Sequence, residues 1–156
     1  RIGFINGGMQ YSYGHLRREG FLNAMAEAGL KIEPEHMREN AVTIRDGEVR
    51  AHEILDSSPM PTAIVCAVDM AALGVYRAAE TRGLQIGHDL SVIAYDGIQD
   101  GAHVTPQLTT YSVDYTYSGR RLSALLIRRV MGEPVEALRE TAQARFLNRG
   151  STGPPA

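Results

Sequence analysis

Arg17, Asp69 and Asp96, together with Asn6 at the end of an apolar run, are the side chains whose types and placement could recognise a small polar molecule. A guanidinium offers five donors in a planar fork, and a carboxylate accepts hydrogen bonds at several sites. Tyr11, Tyr13 and Tyr115 could add flat apolar faces beside them. Such a set suits a sugar or a similar polyhydroxylated ligand, because a wrong ligand would leave buried polar groups unpaired. Each residue also has a plainer use. Asp69 reads as a helix cap, Arg17 as a solvated helix residue, Asp96 before Gly97 as turn chemistry, and Tyr11 and Tyr13 as cover for a loop.

Signals for catalysis are missing. No G-x-G-x-x-G, P-loop or G-x-S-x-G occurs, and Gly7-Gly8 after a strand is a weak phosphate signal. The five histidines lack ligand-like spacing for zinc. One carboxylate at a strand end without a partner gives neither a nucleophile–base pair nor a metal set. The expectation is therefore a non-enzyme with no metal and no cofactor.

The elements that must position these groups follow from periodicity. Ile2 to Ile5 is a short apolar run closed by Asn6-Gly7-Gly8, a strand and then a loop. A helix is expected from about Tyr13 to Leu30, with Leu16, Phe21, Ala24, Met25 and Ala28 on one side and Arg17 in its first turn. A weak strand follows near Glu39–Thr43. Thr43-Ile44-Arg45-Asp46 then caps a helix to about Ser57 that buries Val49, Ile54 and Leu55. Pro59-Met60-Pro61 ends it. Thr62 to Val68 is a continuous apolar strand, expected to be buried on both faces. Asp69 is expected to cap a helix over Met70–Arg82, with Gly83 at its C′ position.

Leu90 to Tyr95 is another strand, closed by Asp96-Gly97. After a loop containing Pro106, Leu108–Ser112 is extended. Asp114 caps a helix to about Met131, with Leu122, Leu125, Leu126 and Val130 inward, and Arg120, Arg121, Arg128 and Arg129 on a solvated face. Thr141–Asn148 is expected to be a last strand. Alternating strands and helices with short connections make a parallel, doubly wound α/β sheet. In such a sheet, ligands bind outside the carboxyl ends of the strands. That rule gathers Asn6, Val68, Asp69 and Asp96 along one edge, with Tyr13 and Arg17 on the helix above it.

Composition sets outer bounds. The chain has 156 residues, 44% of them hydrophobic, which fits one domain with a real core. A formal charge of −2 lacks the basic excess of a nucleic-acid module. The single cysteine, Cys66, excludes an internal disulfide and fits a reducing cytoplasm. No apolar run reaches the roughly 18 residues of a membrane span. Opening directly on a strand with Arg1 leads to the expectation that upstream sequence is missing, and the Gly/Pro/Ser-rich residues 150–156 read as a flexible natural terminus.

Taken together, the segments resemble the effector-binding region of the lactose-repressor (LacI/GalR) family of bacterial transcription regulators. The resemblance lies in Arg1-Ile2-Gly3-Phe4-Ile5-Asn6-Gly7 with Arg17-Arg18-Glu19-Gly20-Phe21, and in Pro61-Thr62-Ala63-Ile64-Val65-Cys66-Ala67-Val68-Asp69-Met70-Ala71-Ala72-Leu73-Gly74. It continues in Gly87-His88-Asp89-Leu90-Ser91-Val92-Ile93-Ala94-Tyr95-Asp96-Gly97, in Leu108-Thr109-Thr110 and in Arg149-Gly150-Ser151-Thr152. It implies a class I periplasmic-binding-protein-like fold, of which this chain is mostly the C-terminal lobe. Residues 1–105 and 139–148 would form that second lobe, 108–132 would return to the first lobe, and 1–149 would be the whole ordered part.

The resemblance further implies that Arg17 and Asp96 are effector contacts. It places Tyr115 where an aromatic residue lines the pocket, and matches Asp69 to the aspartate opening the next helix. Val68 departs from the pattern, standing where many members carry a ligand-binding Asn; Val42 falls near a position that is aromatic in some. The implied partners are a small sugar-like effector, a second copy of the chain in a homodimer, and operator DNA held only through an N-terminal helix-turn-helix segment. Two other readings remain open: an exported sugar-binding protein of a transporter, and a small α/β enzyme. With the first lobe absent, the surface near Leu108–Ser112 and the long helix should be apolar and could pair with another copy.

Overall fold

The computed structural model describes residues 1–155. Strands β1 (Ile2–Ile5), β2 (Met37–Arg38), β3 (Ala63–Cys66), β4 (Ser91–Asp96), β5 (Thr109–Ser112) and β6 (Arg145–Leu147) form one sheet in the order β2-β1-β3-β4-β5-β6. The first five run parallel, and β6 lies antiparallel to β5. The expected parallel α/β sheet is therefore present, with one reversed edge strand. The helices are α1 (Ser12–Glu27), α2 (Ile44–Leu55), α3 (Asp69–Thr81) and α4 (Tyr115–Val130). No helix among the described residues is long and apolar enough to cross a membrane.

Strand alternation sends residues to two unequal layers. Ile5, Ile64, Cys66, Val92 and Ala94 point into the main core beneath α2 and α3, with Ile54, Leu55, Val75 and Leu90. The two helices touch closely because glycine stands at the crossing: a Cβ on Gly74 would lie 2.2 Å from the Ile44 carbonyl oxygen. The other face carries a smaller cluster, Phe4, Phe21, Met25 and Ala67, in which the Phe4 and Phe21 rings stack at 4.7 Å. Helix α1 packs on this side, with Ile32 and Met37 at its edge. Val65, Ile93, Tyr95 and Tyr111 line a cavity of about 470 Å³ there, so β3 is half-buried on that face rather than buried on both.

Local signals held where their partners are close in sequence. Thr43 and Asp46 form the expected capping box of α2, and Asp114 accepts from the Tyr117 amide at 2.8 Å to cap α4. Several expectations are corrected. The weak strand at 39–43 is a loop, because Asn40 adopts a φ of 62° and breaks the extended chain after Arg38. In α1, Phe21 and Met25 are buried but Leu16 is exposed. In α2, Val49 is exposed although Ile54 and Leu55 are buried. Helix α4 buries no residue at all, and Leu122, Leu126, Ile127 and Val130 face outward. With Tyr111 and Phe146 also exposed, the bare surface near β5 and α4 is apolar.

The carboxy-terminal segment is not frayed at Ser151, which is fully buried. Its hydroxyl donates to the Val92 carbonyl at 2.6 Å and accepts from the Thr109 amide at 2.7 Å. Gly153 is bonded to Ser91. These bonds pin residues 151–153 to β4 and β5.

Candidate functional site

The carboxyl ends of β1, β3 and β4 share one rim because the three strands are adjacent and parallel. Helix α1 starts at Ser12, so Arg17 sits in its second turn rather than its first, and leans over this rim. Its guanidinium carbon is 4.1 Å from the Tyr95 ring centroid and 4.7 Å from that of Tyr13. Cation–π contact with both rings helps hold the planar group at the rim. One nitrogen donates to the Ala67 carbonyl, and another lies 3.6 Å from the Asp96 carboxylate. Both side chains of that pair are 24% exposed.

Asp96 stands in an unusual backbone state, with a φ of 135°, immediately before Gly97 at 77°. A residue with a side chain held at positive φ carries strain, and such residues concentrate where a side chain must be aimed. Burial raises the Asp96 carboxyl above the usual range; Arg17 opposes this and Asp69 adds to it. The Arg17 guanidinium and the Asp69 backbone both stabilise its charged form, and its side chain stays partly exposed at the rim.

Tyrosines frame the pair. Tyr11 stacks on Tyr13 at 5.2 Å, and burial followed by the Tyr11 charge raises the Tyr13 phenol. Tyr115, the first residue of α4, is exposed over 59% of its surface. Its phenol is raised by burial and then by Asp96 and Asp69. Arg17, Asp96 and Tyr13 are thus brought together.

Asn6 and Asp69 share the rim but not its open surface. Asn6 is fully buried. Its Nδ2 donates to the Gly14 carbonyl at 3.1 Å and its Oδ1 accepts from the Gly7 amide at 2.9 Å, so it shapes the loop between β1 and α1. That loop closes on glycine, since a Cβ at Gly14 would lie 2.1 Å from the Gly8 carbonyl oxygen. Asp69 is also fully buried and is the first residue of α3, so Val68, not Asp69, occupies the cap position. The Asp69 carboxylate accepts from the Gly97 and Ile98 amides and from the Thr110 hydroxyl. Both side chains spend their hydrogen bonds within the fold. Val68 is half-buried and packs against the main core.

Sequence reasoning passed over Tyr95, whose ring supports Arg17. The signal was present in strand alternation: Tyr95 is two residues from Ile93, which faces the α1 layer. A larger cavity, about 720 Å³, lies elsewhere, among Leu73, Tyr76, Arg77 and Pro106. It contains none of the paired polar groups of the rim, so chemistry rather than volume selects the rim.

The description of the family model for the periplasmic binding protein-like domain fits residues 1–152. This chain belongs to that family. The HTH-type transcriptional repressor PurR of Pasteurella multocida is 37% identical over 129 residues, covering 83% of this chain and 39% of the relative. A solved LacI-family regulatory protein from Chloroflexus aggregans superposes with a TM-score of 0.88 at 33% identity, over 98% of this chain and 55% of that one. The lac repressor dimer bound to operator and the anti-inducer ONPF gives a TM-score of 0.86 at 27% identity, over 99% and 53%. The LacI-family resemblance read from sequence is therefore met by relatives and by solved structures alike. The chain spans less than half the length of the PurR relative it matches.

Proposed function

We propose that residues 1–156 are the ligand-sensing part of a bacterial transcription regulator that binds a sugar or a related small polar molecule. The observation that carries this reading is the Arg17–Asp96 pair, held between Tyr13 and Tyr95 at the carboxyl rim of a parallel sheet. A donor fork beside a partly exposed carboxylate matches a hydroxyl-bearing ligand, and the flanking rings match its apolar face. The rim holds no nucleophile–base pair, so the reading is of binding and not of catalysis. A buried, reduced Cys66 agrees with a cytoplasmic setting.

In the intact regulator the ligand would sit between this lobe and a first lobe, and α4 would lay its apolar stripe on that first lobe. A ligand with different affinity for two lobe arrangements shifts their populations. In a homodimer that shift changes the spacing of two helix-turn-helix segments, and hence operator binding. A thermal-shift screen of pentoses and hexoses against the regulator that carries these residues tests the site. A sugar that stabilises the wild type should bind Arg17→Ala and Asp96→Ala about 10- to 150-fold more weakly, the scale of about 1.5–3 kcal/mol for a charged hydrogen bond. Equal affinity in both variants would remove the rim as the binding site.

A further inference from the structure

We infer that the Asp69 carboxylate is a positioning group that locks Asp96 and the β5–α4 junction into one unit, so that a ligand's pull on Asp96 reaches α4. This rests on the reading of Asp96 as a ligand contact.

A carboxylate at the first position of a helix ordinarily serves that helix, through its dipole or its free amides. The hydrogen bonds of Asp69 go elsewhere. Its Oδ2 accepts from the Gly97 amide at 2.8 Å and the Ile98 amide at 2.9 Å, and its Oδ1 accepts from the Thr110 hydroxyl at 2.6 Å. Asp69 and Thr110 are both fully buried. Burying a charge is costly unless it is well bonded, and three donors from two other segments meet that requirement.

The two segments are the turn that aims Asp96 and the strand that leads into α4. Asp96 and Gly97 hold φ values of 135° and 77° in succession. The turn is braced from below by Asp69 and from the side by β5. The Val113 amide donates to the Asp96 carbonyl at 3.0 Å, and a Cβ on Gly97 would lie 2.2 Å from the Ser112 hydroxyl oxygen. One residue beyond Val113, Asp114 caps α4 through the Tyr117 amide. The path from the ligand-facing carboxylate to α4 is thus one backbone hydrogen bond and one peptide unit. Asp69 holds the segments on either side of it, at Gly97 just after Asp96 and at Thr110 three residues before Val113. Coupling of this kind needs a contiguous rigid element, and the carboxylate supplies the cross-brace.

Amide hydrogen exchange on the ligand-free chain tests this, using Thr110→Val, Thr110→Ser and Asp69→Asn. Thr110→Val keeps shape but removes the hydroxyl donor. It should speed exchange at Gly97, Ile98, Val113 and Tyr117 by about fivefold or more, as local opening becomes easier. Thr110→Ser restores the donor and should stay within about twofold of wild type at these amides. Asp69→Asn should exceed Thr110→Val at the same four positions, while Thr62, bonded to the Arg1 carbonyl at the opposite end of the β1–β3 pair, stays unchanged in every variant. Faster exchange confined to Gly97 and Ile98 would overturn the link to α4. Equal behaviour of Thr110→Ser and Thr110→Val would overturn the role of the hydrogen bond, and the Thr110 pair decides the matter even if Asp69→Asn fails to fold. No ligand enters this experiment, so a failed sugar screen and a failed brace are separate results.

Discussion

Replacing Asp96 with Asn and with Gly separates two costs carried by one residue. The first is electrostatic. Burial outweighs the Arg17 guanidinium and raises the Asp96 carboxyl above its ordinary value of 3.8. The folded protein then holds that proton more tightly than the unfolded chain does. The group's contribution to stability is full below the ordinary value and is lost as pH rises through the raised one. At pH 7 the wild type bears the cost of an ionised, partly buried carboxylate, and Asp96→Asn does not. Below about pH 3.8 both are neutral and the gap should close.

The second cost is conformational. Positive φ in a residue with a side chain costs roughly 1–3 kcal/mol. Glycine removes that strain but loses about 0.5–1 kcal/mol through its freer unfolded state. Asp96→Gly should therefore be more stable than Asp96→Asn by about 0.5–2 kcal/mol at both pH values. Urea unfolding at pH 7 and near pH 3.5 gives the comparison, read as differences between variants with m held constant. Both variants should gain stability at pH 7 while losing the proposed ligand contact, the trade expected when a strained group serves binding. An Asn variant weaker than wild type at pH 7 would show that the Arg17 pair outweighs burial. A Gly variant no better than Asn would refute the strain.

Two further substitutions test how the rim is supported. Gly74→Ala would set a Cβ 2.2 Å from the Ile44 carbonyl oxygen and 2.3 Å from the Glu48 nitrogen, both backbone atoms. It should cost at least about 2 kcal/mol in urea unfolding, and a loss below about 1 kcal/mol would mean that α2 and α3 part easily. Ser151→Ala leaves the buried Thr109 amide and Val92 carbonyl without their shared partner. It should lower stability by about 1–3 kcal/mol, and an unchanged unfolding midpoint would show that the tail is not a structural tie.

What the amino-acid sequence determined by itself was whatever depends on neighbours within a turn or two, or on a strict period. The apolar run Thr62–Val68 read as a strand, and its Ala63–Cys66 part is one, between β1 and β4. Thr43 with Asp46, and Asp114 before Tyr115, carried their own cap chemistry. Asp96-Gly97 closed a strand whose register put it on the rim with Arg17 nearby. Tertiary structure alone decided which partners the polar groups found and which apolar stripes were covered. Asp69 looks like a cap because a cap's partners are local, yet its donors come from 28, 29 and 41 residues away. Ser151 sits in a stretch with the composition of a loose end, and its hydroxyl is fixed by Val92 and Thr109 across the sheet. Leu122, Leu126 and Val130 keep helical spacing but stand exposed. Periodicity reports that a helix has an apolar face; only the arrangement of the surrounding elements says what lies against it.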